Sequence, residues 1–117
     1  MKYLLLIHTP DPGSSKRNRT DGPTVEEFMA FHKTITDAGV VLESNALDVE
    51  HATSVEVRPD GERVVTDGPF AETREMVGGY YLIDVSDLDA AIDWAARCPG
   101  AQHGRMEVRT IWEPDFA

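Results

Sequence analysis

The sequence predicts an α+β fold, and three observations carry it. Two amphipathic stretches with a helical repeat each open on a capping pattern, and short β-forming runs flank them. The resulting order, β-α-β-(β-hairpin)-β-α-β, fits a ferredoxin-like split βαβ sheet with an inserted β-hairpin and helices on one face. The first strand is apolar on both sides, so the other sheet face needs a cover. A homodimer through the sheet would supply it.

The elements follow in order. Residues 2–8 read as a buried, central strand. Tyr3, Leu5 and Ile7 point one way, and Leu4, Leu6 and His8 the other. Residues 9–23 form a loop rich in Pro, Gly and Ser, with the basic run Lys16-Arg17-Asn18-Arg19. That run is either a flap over an anionic ligand or a solvated loop. Thr24-Val25-Glu26-Glu27 opens a helix that runs to Ala38, and Gly39 stops it. Val25, Phe28, Met29, Phe31, Ile35 and Ala38 share its broad apolar face, with His32 at the edge. Val40-Val41-Leu42 begins the second strand, with an irregular continuation to Leu47.

Thr53–Arg58 and Glu62–Thr66 form a hairpin around Pro59-Asp60-Gly61. The stretch Asp67-Gly68-Pro69-Phe70 then breaks the strand, because Pro69 has no amide to give a ladder and biases Gly68 away from helix. Asp67 therefore sits at a strand end, where binding residues gather. It is either a clasp on its own turn or a residue of a site. Phe70 anchors the loop, and Glu72, Arg74 and Glu75 read as a solvated face. Gly78-Gly79 marks a bulge or a close backbone approach before the strand Tyr80–Val85. Ser86-Asp87-Leu88-Asp89 starts a second helix, with Leu88, Ala91, Ile92, Ala95 and Cys98 on one stripe, ended by Pro99-Gly100. Arg105–Glu113 is the last strand, with Met106, Val108 and Trp112 on one face.

The segment DGPFAETREMVGGYYLIDV, followed by DLDAAIDWAARCPG and MEVRTI, resembles the DGPF subgroup of the YCII-related family. The opening MKYLLLIH is similar to that family's first strand. The resemblance implies a ferredoxin-like α+β fold that pairs into a dimeric α+β barrel. Some relatives are small enzymes on ring compounds, a dehydrochlorinase among them, and a His/Asp pair near the dimer cleft is their proposed working site. DGPF-type proteins are also often encoded beside extracytoplasmic-function sigma factors.

Composition narrows the function. One domain of 117 residues buries enough surface for a core. The net charge of −10 argues against nucleic acid and against an anionic membrane surface. The single Cys98 leaves no intramolecular disulfide and reads as a small core residue. The short apolar run at residues 3–7 ends at His8 and is no signal sequence, so the expectation is a cytoplasmic protein. His8, His32, His51 and His103 are scattered, and the sequence signals no metal site.

Two functions remain. In the first, a cofactor-independent enzyme carries out proton transfer, isomerisation or elimination on a small organic molecule at the dimer cleft. Asp67 acts as base or orients His32 or His8, and Gly68, Pro69, Phe70 and Tyr81 contact the ligand. In the second, the protein is a non-catalytic small-molecule binder or a regulatory accessory linked to such a sigma factor.

Overall fold

The computed structural model describes residues 1–10, 24–48, 51–67 and 75–114. Within them the chain runs β1 (Lys2–Pro10), α1 (Val25–Asp37), β2 (Val41–Ala46), β3 (Thr53–Val57), β4 (Arg63–Asp67), β5 (Glu75–Asp84), α2 (Leu88–Arg97), α3 (Gly100–His103) and β6 (Arg105–Thr110). Four strands form an antiparallel sheet in the order β2-β5-β1-β6. This order and the two long helices fit a ferredoxin-like α+β fold. β3 and β4 pair in a two-stranded sheet of their own.

β1 sits inside the sheet between β5 and β6, and its alternation assigns the faces. Tyr3, Leu5 and Ile7 are buried with Tyr81 and Ile83 of β5. Phe31 and Ile35 of α1, Ala91 and Ala95 of α2, and Cys98 close the same core. Both helices therefore cover one face. The opposite face carries Leu4, Leu6, Leu82 and Tyr80, all part-exposed.

Local chemistry fixes the helix ends. The Thr24 hydroxyl accepts from the Glu27 amide at 3.1 Å, which satisfies one of the free donors of α1. Gly39, at φ 77°, takes the left-handed turn that stops the helix. In α2 the Asp87 carboxylate accepts from the Ala90 amide at 2.9 Å. Leu88 and Ile92 are each 46 % exposed, so the buried stripe of α2 is narrower than its apolar pattern.

Four elements depart from the sequence reading. β1 runs on to Pro10, two residues into the stretch read as a loop, by pairing with Met76 and Glu75. β5 starts at Glu75 instead of Tyr80, because the glycine pair does not end the ladder. Ile7 pairs with Gly79 and His8 with Val77, so Gly78 is the extra residue of a bulge. β6 ends at Thr110 opposite Tyr3; the Ile111 amide still donates to the Lys2 carbonyl at 2.9 Å, and Trp112 beyond it is 82 % exposed. The short helix α3 was not signalled. Pro99 already has helical dihedrals, and the Gly104 amide reaches the Gly100 carbonyl at 2.9 Å. Gly104 itself lies so close to the His8 carbonyl that a Cβ there would collide with it.

None of the helices among the described residues is long and apolar enough to cross a membrane.

Ile35 is fully buried where α1 meets the sheet. Ile35→Ala should cost about 2–5 kcal/mol of stability, read as a lower urea midpoint with an unchanged slope. A loss below about 0.5 kcal/mol would mean that α1 is not docked as described.

Candidate functional site

Between α1 and the sheet lies a cavity of ≈ 610 Å³. Its roof is a helical stripe: Val25, Phe28, Met29 and His32 stand at i, i+3, i+4 and i+7. Its floor is built from two rows across β1, β5 and β2. One row is Ile7, Gly79 and Ala46, and the next includes Tyr81 and Ser44. The Ile7 row is low because two of its three residues are Gly and Ala. A Cβ on Gly79 would stand 3.0 Å from the Asn45 carbonyl and 3.6 Å from the Ile7 side chain. The missing side chain thus leaves the floor open and also lets β2 and β5 approach closely.

The polar end of the cavity is one pair. His32 Nδ1 lies 2.9 Å from the Tyr81 hydroxyl. His32 is at the exposed rim, whereas Tyr81 is 7 % exposed and held edge-on by Phe31 at a ring separation of 5.7 Å. Burial pushes the Tyr81 phenol above its ordinary value, and the neighbouring Cys98 acts in the same direction. Tyr81 is therefore a neutral phenol at physiological pH. In one tautomer His32 Nδ1–H donates to the phenol oxygen, and the phenol O–H is free to turn toward the cavity. In the other, the phenol donates to Nδ1 and His32 presents Nε2–H. The pair can hold a proton at either atom and offer one hydrogen bond to an oxygen.

His8 is elsewhere. It lies on the sheet face turned away from the helices, with Nε2 2.8 Å from Glu107 Oε1. Arg109 Nε donates to the other Glu107 oxygen at 2.8 Å. This pair and the exposed Arg109 form a line along β6. His8 Nδ1 is buried without a hydrogen-bond partner among the described residues. The hydrogen bond from His8 lowers the Glu107 pKa most, with Arg109 acting in the same direction against partial burial.

The sequence candidates thus separate. His32 and Tyr81 meet at one cavity, and His8 stands on the opposite sheet face. Asp67 ends β4, pairs with Thr53 and is exposed. The ring partners that the structure gives the two histidines are Tyr81 and Glu107. Gly68, Pro69, Phe70 and the basic run 16–19 lie outside the described residues. Glu107 was missed by the sequence reading. Its signal is not local: His8 stands opposite Arg105, and Glu107 reaches it diagonally from beside Leu6. Among the described residues no three His, Cys, Asp or Glu side chains converge as metal ligands would.

The model of the YCII-related domain matches residues 1–115. An uncharacterised protein of Rhizobium meliloti (strain 1021) is 32 % identical over 114 residues, spanning 95 % of this chain and 92 % of that protein. The chain belongs to the YCII-related family.

The lowered Glu107 pKa carries a pH dependence. A carboxyl whose folded pKa lies below its ordinary 4.5 adds stability above that value and loses it as pH falls through the folded one. Glu107→Gln should therefore lower the urea midpoint at about pH 7 and have a smaller effect at about pH 3. An equal loss at both values would mean that the charge of Glu107 contributes nothing.

Proposed function

We propose that this protein is a small acid–base enzyme acting on a compact organic molecule held between α1 and the sheet. The observation that carries the reading is the His32–Tyr81 pair, 2.9 Å apart at the wall of a mostly apolar cavity. His32, at the rim, takes a proton from a carbon beside a carbonyl. The neutral Tyr81 phenol donates to the oxygen on which charge develops. Return of the proton to a different carbon completes an isomerisation, and departure of a neighbouring leaving group completes an elimination. A base inside hydrogen-bond reach and a donor on a rigid strand are what such chemistry requires.

The proposal extends to the residues that the DGPF resemblance adds. Asp67, Gly68, Pro69 and Phe70 take part in ligand binding, and the chain is placed in the DGPF subgroup. The protein works in the cytoplasm as a homodimer, forming a dimeric α+β barrel. The face bearing Leu4, Leu6, Leu82 and Tyr80 meets its copy, which puts His8 and Glu107 at the dimer cleft. Full burial of an exposed leucine is worth about 1.5–3 kcal/mol, and these half-buried ones would gain a fraction of that on association. A second reading, a non-catalytic binder or sigma-factor accessory, draws on the apolar character of the same cavity.

A panel of small carbonyl compounds tests the chemistry. His32→Gln and Tyr81→Phe should each lower kcat by about 10²–10⁴-fold with an unchanged urea midpoint, and Asp67→Asn should lower turnover in a folded protein. Full activity in His32→Gln would remove His32 as the base, and saturable binding without turnover would favour the binder.

The dimer has its own measurement. Light scattering should give twice the chain mass, and Leu6→Lys should give a folded monomer. A monomeric parent protein would overturn the interface.

A further inference from the structure

We infer that the cavity under α1 selects an uncharged molecule with a flat apolar body of two fused rings and a single oxygen acceptor. The inference rests on the site proposed above and names its ligand class. The body lies on the low floor of Gly79 and Ala46, under Phe28 and Met29, and the oxygen meets the Tyr81 hydroxyl.

Four features carry it. First, the space is a slot between a helix and a sheet, and such a slot favours a planar occupant over a branched one. Its ≈ 610 Å³ lies within the range of clefts that hold drug-sized ligands, with room beyond a single ring. Second, the walls are mostly apolar, with His32, Tyr81 and Ser44 toward one end and Thr9 toward the other. By the register Asn45 and Tyr80 stand on the alternate face, where Asn45 Nδ2 donates to the Tyr80 hydroxyl at 2.8 Å. His32, Tyr81 and the smaller hydroxyls of Ser44 and Thr9 are what remains, and Thr9 already donates to the Met76 carbonyl at 3.1 Å. Third, among the described residues the lining contains no Lys, Arg, Asp or Glu. An anion entering it would give up its hydration without gaining a paired cation, and the net charge of −10 opposes its approach. Fourth, Tyr81 is held as a neutral donor on a rigid central strand, which suits a carbonyl or ether oxygen.

Gly79 and Ala46 are then the residues that set ligand size. They hold open the part of the floor where any larger side chain would stand in the slot.

The test uses two probes of one shape, acetylnaphthalene and naphthoate, titrated calorimetrically into the full chain. Acetylnaphthalene should bind saturably and at least about tenfold more tightly than naphthoate. Ala46→Phe should abolish that binding by filling the slot. Should Ala46→Phe fail to fold, Met29→Trp, placed at a 66 % exposed helix position, blocks the same slot from the roof. Tyr81→Phe should weaken acetylnaphthalene and leave naphthalene itself unaffected. Equal or tighter binding of naphthoate overturns the inference and would direct attention to the basic run 16–19. Absence of saturable binding by acetylnaphthalene, or binding that survives both blocking variants, overturns it as well. The readout is binding alone. An inactive protein that still prefers acetylnaphthalene keeps this inference and loses the acid–base reading, whereas a catalytically active protein that prefers naphthoate does the reverse.

Discussion

The antiparallel pairing of β1 with β5 determines where every other part of the molecule can go. Leu5 opposite Tyr81 and Ile7 opposite Gly79 put one set of side chains under the helices and the alternate set on the far face. A slip by one residue would exchange the two sets and expose the core. The same register decides the chemistry. It turns Tyr81 toward α1 and His32, and it turns His8 toward Glu107. Two histidines that lie close in any list of candidates are thereby kept on opposite sides of a sheet. The bulge at Gly78 absorbs one extra residue without disturbing this division up to Ile7, and it lets β5 continue back to Glu75.

The cavity follows from a local shortage of side-chain volume. α1 packs on the core through Phe31 and Ile35, both buried, while its neighbouring stripe of Val25 and Met29 stays 74 % and 66 % exposed. Those two residues would gain from burial, and the floor opposite them offers Gly79 and Ala46 instead of anything to touch. A helix that leaves apolar residues over an open floor gives up stabilisation that a larger residue at position 46 would recover. Sites of this kind are expected where an interior has been kept open for a ligand.

The fold was largely legible because its signals are periodic and local. The alternation in residues 2–8, the cap at Thr24 and the Asp60-Gly61 turn each act within a few residues, and each appears as read, while the second cap falls on Asp87, one residue past Ser86. The ends of β5 and β6 were not legible, because they depend on where a partner strand stops. Trp112 looked like a strand residue by composition, but the paired ladder ends at Thr110 and the indole stands 82 % exposed beyond it. The candidate site was legible in its parts. Tyr81 and His32 were both singled out, yet their contact spans 49 positions and needs the α1–β5 packing to bring them together. The Asp67 carboxylate drew attention through its turn, a local feature, and local features do not report distance to a histidine. Glu107 was missed because its meaning lies wholly in a cross-strand neighbour.

The separation of the two histidines has a consequence for how association and chemistry relate. The His32–Tyr81 site is assembled from α1, β5 and the cavity floor of a single chain. The His8–Glu107 pair lies in the apolar face that the proposed dimer would cover. Burying that face would strengthen the His8–Glu107 contact, since a charge-assisted hydrogen bond gains as water is removed from around it, provided both ends stay paired. Arg109, which holds the second Glu107 oxygen, supplies that provision on one side. His8 Nδ1 is already buried without a hydrogen-bond partner among the described residues, so its cost is present before any association. The far face thus offers a partner an apolar surface around a paired carboxylate, while the near face can bind a small molecule with or without one. Ligand binding under α1 and pairing through the sheet are therefore separable properties of this chain, joined only through the strands they share.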